Sequence, residues 1–294
     1  MECKGEHELF CCGARVRICN SKVTVLSEPR LVYCPLHEAL YGTKTIDKAT
    51  VKKSVEAKIS GFGLCCESRI FDDNLVVPYG ASEILSVCLE YGLLDCAIVV
   101  CDGAGTVITE NSKLVQAIGA RLTGIIKTSP LKQVIKFIEK SNGVVLDSTT
   151  ARIDQLEGVK HAAEKLGCKR IGVTVASFQS VAVEKIRNFE RSHEKDGVKV
   201  AIFSVCNTCA SQADVKRILR ADVVCASASK LVREQIGPKA LMQLGVGIPV
   251  FVLTDFGKSL ALKYMEHFSD RLVVFRRKTL PYLVEEREPK LKEG

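Results

Sequence analysis

Tryptophan is absent from this 294-residue chain, methionine occurs three times, and aromatic residues make up only 6%. Side chains on which bare bases stack are therefore scarce, which argues against single-stranded nucleic acid as a partner. The net charge of +8 does not reverse this, because the cations spread over helix faces such as KQVIKFIEK and VEKIRNFERSHEK, with RRK at 276–278 the one tight triplet. No apolar run approaches the ~20 residues that cross a bilayer. The first residues, MECKGEHELFCCGARVRI, scatter charges where a secretory signal needs an apolar stretch. A cytoplasmic protein without a membrane partner is expected. G-x-S-x-G, H-E-x-x-H and a Gly-Lys-Ser/Thr phosphate loop are also missing, so no conventional catalytic set can be assigned.

Cysteine is plentiful by contrast, with fourteen residues. Their share falls below the ~8–10% that marks a short disulfide scaffold, so these thiols are expected as buried small hydrophobes, metal ligands or reactive groups. Cys88, Cys96 and Cys168 sit among apolar residues and belong with the first kind. So heavy a load of free thiol is an oxidation hazard and favours an anaerobic cell.

Two regions differ in pattern. Residues 1–75 read as a small α+β domain, in which ARVRIC and KVTVLS alternate like half-buried strands around Asn20-Ser21, and a helix follows from Asp47 to Ile59. Phe71–Gly80 forms a linker. Residues 76–294 read as a Rossmann-like α/β domain, with possible layers at 81–150 and 151–275. There, short continuous apolar runs (97–101, 143–147, 170–175, 199–205, 222–226, 249–253, 271–275) alternate with helical spacing. That alternation predicts a doubly wound, mainly parallel sheet.

In such a sheet the strand C-termini line the ligand crevice. The predicted exits are CDGAGT (101–106), LDSTT (146–150), TVAS (174–177), VCNTC (205–209), VCASAS (224–229) and LTD (253–255). Helix capping accounts for many of their Ser, Thr and Asp residues but not for cysteine, a poor N-cap. Cys101, Cys206, Cys209 and Cys225 therefore stand out, and Cys34-x-x-His37 and Cys65 supply further thiols if the N-terminal domain reaches the sheet edge. The expected soft-metal set is Cys34, Cys65, Cys101, Cys206, Cys209 and Cys225, for zinc or an iron–sulfur cluster. Gly103 and Gly105 would let backbone amides approach an anion. The expected small-anion site takes in Asp102, Gly103, Gly105, Thr106, Ser148, Thr149, Asn207, Thr208 and Ser227. A nicotinamide cofactor is not expected, because Ile108 stands where the dinucleotide fingerprint needs its third glycine.

YCPLH (33–37), Gly61-Phe62-Gly63 leading to Cys65, CDGAGTVIT (101–109), CASASK (225–230) and IPVFVLT-x-x-GK (248–258), taken in order over about residues 14–269, resemble the methanogenesis marker protein 8 family. The resemblance implies a strict anaerobe and a link to methanogenesis, with methyl-coenzyme M reductase, its cofactors or its assembly factors as partners. It brings no catalytic residues, and Cys3, Cys11 and Cys12 stay outside the expected ligand set. Three functions remain open at this point. They are a metal- or cluster-binding accessory protein, an enzyme on a small anionic metabolite or coenzyme, and an interaction module whose sheet is only a scaffold.

Overall fold

The computed structural model describes residues 4–74, 76–120 and 124–292. Among these, the chain opens with β1 (Glu6–Cys11), β2 (Ala14–Cys19), β3 (Lys22–Val25) and β4 (Leu31–Tyr33), then α1 (Pro35–Tyr41) and α2 (Lys48–Phe62). β2 follows the pleat, burying Ala14, Val16 and Ile18 and exposing Arg15, Arg17 and Cys19. The expected hairpin turn is present, with Asn20 and Ser21 both at positive φ, as a two-residue turn between right-twisted strands requires. Asp47 and Thr50 form a reciprocal capping box on α2, and Gly63 ends the helix in the left-handed conformation.

The rest of the chain runs α3 (Ala81–Glu90), β5 (Cys96–Cys101), β6 (Gly105–Thr109), α4 (Ser112–Gly119), β7 (Gly124–Lys127), α5 (Lys132–Lys140) and β8 (Gly143–Val145). It continues with α6 (Gln155–Glu164), β9 (Arg170–Ala176), α7 (Val181–Ser192), β10 (Lys199–Val205), α8 (Gln212–Ile218), β11 (Val223–Cys225) and α9 (Lys230–Gln235). β12 (Met242–Leu244), β13 (Val250–Val252), α10 (Asp255–Glu266) and β14 (Lys290–Leu291) complete it. No described helix is long and apolar enough to cross a membrane.

Eight strands form one sheet in the order β12-β13-β11-β10-β9-β5-β6-β8. The centre, β5-β9-β10-β11, is parallel. Both flanks turn antiparallel, at β6 and at β13, so the sheet is mixed where a mainly parallel one was expected. The physical reason lies in the connections. β5 passes to β6 through a short turn, and a short connection forces the antiparallel hairpin, whereas parallel neighbours need a crossover.

Successive residues on the central strands feed two cores. Ala97, Val99, Ala201 and Phe203 pack with Ile84, Leu85, Leu114, Ile138 and Leu260. Cys96, Ile98, Val200 and Ile202 pack with Val159, Ile186, Val215 and Val232. Helices thus cover both faces, and this is why the strands read as continuous apolar runs. Phe203 and Phe251 are fully buried, each contributing about 1.5–3 kcal/mol of transfer free energy.

A third core joins the N-terminal strands and α2 through Leu9, Val16, Ile18, Val51, Val55 and Ile59, and draws in Ile125 and Ala228 from later in the chain. The small antiparallel sheet is ordered β3-β2-β1-β7, its last strand coming from Gly124–Lys127, and β14 pairs with β4. Residues 271–275, expected as a strand, lie in irregular chain, with Val273 88% and Val274 78% exposed. A β-branched run without a neighbouring strand has no ladder to join.

Candidate functional site

The CDGAGT segment is a hairpin turn between β5 and β6 rather than a strand-to-helix loop, and residues 101–106 are all buried. Asp102 accepts the Cys65 amide at 2.6 Å and the Arg69 Nε at 3.0 Å, an ion pair with both side chains almost fully enclosed. The Gly103 amide donates to Thr128 Oγ1 at 2.7 Å, the Ala104 amide to Cys101 O, and the Thr106 amide to Arg152 O. A Cβ on Gly103 would meet Leu131 at 2.7 Å, and one on Gly105 would run into the Ala151 carbonyl. Both glycines have positive φ, and here their freedom serves close packing of protein on protein. The Thr106 hydroxyl donates to Gln155 Oε1 and accepts the Asp154 amide, each at 2.8 Å.

Cys65 and Cys101 lie against this turn, both with no exposed surface. Burial first, then the Asp102 charge, raises both thiols well above the ordinary range, so both are neutral. Ser148 and Thr149 lie apart, in an exposed turn where Asp147 accepts from the amides and hydroxyls of Thr149 and Thr150. Those bonds hold the Asp147 carboxyl below its usual range.

A different arrangement occupies the ends of β9, β10 and β11. Cys206 has φ 53° and Ser227 φ 51°, the left-handed region that side chains with a Cβ avoid. Asn207, fully buried, latches the two loops together. Its amide donates to Ser227 Oγ at 3.1 Å and its Nδ2 to Cys225 O at 2.8 Å, while Ser204 Oγ donates to its Oδ1 at 3.1 Å. Ser177 Oγ donates to Cys206 O at 2.9 Å. Holding two such residues costs on the order of 1–3 kcal/mol each, and strain of this kind concentrates at functional sites. Thr208 follows, half-buried, on the single 3₁₀ turn Asn207–Cys209.

Cys206 and Cys225 are brought together here, and both are partly exposed. Burial pushes the Cys206 thiol up to about 11, against the pull of the Lys58 ammonium. Cys225 is pushed up to about 12, by burial first and then by the charges of Cys206 and Glu83. Cys209 turns away, its Sγ 3.7 Å from Gly13 O in the β1–β2 turn. The N-terminal sheet roofs this edge, Phe10 of β1 packing on Phe178 with ring centroids 5.4 Å apart.

Cys34 occupies the N-cap of α1 without making a capping bond, and burial raises its thiol. His37, 6% exposed, has no hydrogen-bond partner for either ring nitrogen among the described residues and packs on Tyr41 with centroids 4.8 Å apart. Burial lowers its pKa, so the imidazole is neutral. The six expected thiol ligands therefore divide into Cys65 with Cys101, Cys206 with Cys225, and Cys34 and Cys209 apart. Among the described residues no three His, Cys, Asp or Glu side chains converge into a group able to hold a metal ion. Twelve of the described cysteines are free thiols and Cys66 is disulfide-bonded, a departure from the all-thiol expectation.

Lys58 and Ser54 were not anticipated. Both sit on the buried face of α2 with Val51, Val55 and Ile59. The signal that could have found them is polar residues at i+3 and i+7 of an apolar stripe.

Architecture and site define an α/β protein with a thiol-bearing sheet edge covered by a small antiparallel sheet. Residues 7–266 match the family described as "Uncharacterized protein conserved in archaea (DUF2099)", and the chain belongs to that family. A relative from Methanocaldococcus jannaschii, "Uncharacterized protein MJ0054", is 41% identical over 252 residues, 85% of this chain and 86% of that one. Among solved structures, one from the F420-reducing [NiFe] hydrogenase complex of Methanosarcina barkeri is 16% identical with a TM-score of 0.33, covering 64% of this chain and 72% of that one. At that score the likeness carries no conclusion about this chain.

Proposed function

We propose that this chain is an accessory protein that receives a soft metal ion or iron–sulfur cluster as cargo at Cys206 and Cys225 and passes it to a methanogenic enzyme or its assembly factors. The observation that carries the reading is the left-handed Cys206, held against strain by the Asn207 latch beside the thiol of Cys225. Two thiols are half of the four-ligand set of structural zinc and of common clusters. A half set suits cargo whose remaining ligands come from the donor or acceptor. The link to methanogenesis, and to methyl-coenzyme M reductase in particular, rests on the sequence resemblance to methanogenesis marker protein 8. The alternative of an enzyme on a small anion draws less support, because the amides of Gly103, Ala104 and Thr106 already donate within the protein.

The test is anaerobic purification, then metal and sulfide analysis and an absorption spectrum, before and after reconstitution with ferrous iron plus sulfide or with zinc. Near-stoichiometric binding, lost in Cys206→Ser and Cys225→Ser, supports the proposal. A folded protein that takes up neither iron nor zinc overturns it.

A further inference from the structure

Left-handed backbone is the province of glycine and asparagine, yet this chain repeatedly puts cysteine there. Among the described non-glycine residues with positive φ are Cys12 (51°), Cys65 (60°) and Cys206 (53°). Cys12 is the clearest case. Cys11 pairs with Ala14 across the β1–β2 ladder, so Cys12 and Gly13 are the two central residues of the turn, with φ 51° and 76°. A two-residue turn with both φ positive favours Asn-Gly or Asp-Gly. Cysteine there is a conformational cost of order 1–2 kcal/mol, and Cys12, though it packs against the third core, stays partly exposed.

The surroundings are those of a reactive thiol. Cys11, buried, lies 3.6 Å from the Ser54 hydroxyl, and its thiol interacts with that of Cys12. The Lys58 ammonium, on the buried face of α2, acts on both sulfurs. The Cys12 hydrogen bond, with help from Lys58 and Ser54, draws Cys11 below the ordinary thiol range, while Cys12 is raised, first by Cys11. Cys11 is therefore the more acidic sulfur of the pair, and Cys12 the more exposed one.

We infer that Cys11 and Cys12 form a thiol–disulfide exchange centre whose substrate is a low-molecular-weight disulfide. With Cys11 deprotonated, the Cys12 proton passes to it as the Cys12 sulfur attacks one sulfur of the incoming disulfide. The S–S bond breaks, one thiolate leaves and accepts the proton now on Cys11, and a mixed disulfide remains on Cys12. The Cys11 thiolate then attacks the Cys12 sulfur and expels the second thiolate. The protein pair loses two electrons to a disulfide bond and the substrate gains them, leaving as one thiol and one thiolate that takes its proton from water, so the exchange balances. Neighbouring Cα atoms lie about 3.8 Å apart, short of the about 4.4–6.8 Å of an unstrained disulfide. A thiol can therefore reopen the ring, and the step is reversible.

The experiment exposes full-length, chelator-treated protein to glutathione disulfide under argon and follows it by intact mass and differential alkylation mapped to residues. The wild type is expected to lose two hydrogens, with Cys11 and Cys12 both protected from alkylation until a reductant is added. Cys11→Ser is expected to stall with one glutathione on Cys12, which also shows that the variant is folded enough to react. Cys12→Ser is expected to capture none at this turn. Full alkylation of Cys11 and Cys12 in the treated wild type, or oxidation confined to another pair such as Cys96 and Cys168, overturns the inference. Zinc uptake by Cys11→Ser, measured alongside, separates this result from the fate of the cargo site at Cys206 and Cys225.

Discussion

Two turns lie at the ends of parallel central strands of the same sheet, and their cysteines lead opposite lives. After β5, Cys101 is sealed in a hairpin whose Gly103, Ala104 and Thr106 amides and Asp102 carboxylate are committed to protein partners. After β10, Cys206 stands at a left-handed position, partly exposed and held by the side chain of its neighbour. A glycine-rich turn looks open in sequence, because glycine permits close approach, but the approaching group can be another part of the chain. A strained cysteine has no such packing explanation. Backbone strain thus separates the two turns better than composition does.

The largest test of this contrast falls on the sealed turn. Asp102→Ala leaves Arg69 charged and enclosed, and breaking such a pair from one side costs about 3–5 kcal/mol. Urea unfolding should show that loss, while metal uptake per folded molecule stays unchanged. A variant of normal stability would mean that the turn is not sealed by this ion pair.

On the open side, Asn207→Ala removes the side-chain latch and strips partners from Ser204 and the Cys225 carbonyl. We expect a destabilisation of about 1–3 kcal/mol and a zinc affinity lower by about 10–100-fold. Calorimetric titration of the variant checks both the affinity and the folded fraction. Equal affinity would show that the latch does not orient the thiols.

pH sharpens the comparison next. Cys206 and Cys225 are raised by burial to about 11 and about 12, so both are protonated at neutral pH and each must release a proton to bind a metal. Zinc affinity should rise about tenfold per pH unit for each coordinating thiol between pH 6 and 8, read by titrations across that window. In the metal-free protein the sign is opposite. A pKa raised in the folded state contributes stability that is complete below the ordinary thiol range and fades as pH climbs through the folded value. Unfolding monitored from pH 8 to 12 should therefore show stability falling from about pH 9 up to the folded values of about 11 and about 12. The smallest effect is expected at Ser148→Ala, in an exposed turn remote from both, where stability should change by less than about 0.5 kcal/mol.

Much of the framework was legible in the sequence. Helices do fall between the apolar runs, as their spacing predicts, because amphipathic spacing and capping residues are local. The hairpin at Asn20-Ser21 was legible for the same reason. β6 and β7 were not, since Gly105–Thr109 and Gly124–Lys127 become strands only by pairing with β5 and β1. Residues 271–275 show the converse, a strand-like run for which the fold supplies no neighbour.

By itself the sequence determined where chains of apolar residues alternate with helices, and which strand ends carry cysteine. Whether a given cysteine is buried, paired or strained was decided only in three dimensions. Periodicity and capping depend on residues within one or two turns of each other, so they can be read along the chain. The state of Cys206 depends on Ser177, Ser227 and Lys58, and that of Cys101 on Arg69, partners at sequence distances that no local pattern spans. Burial, not residue type, sets the protonation of these thiols, and burial is a property of the assembled fold.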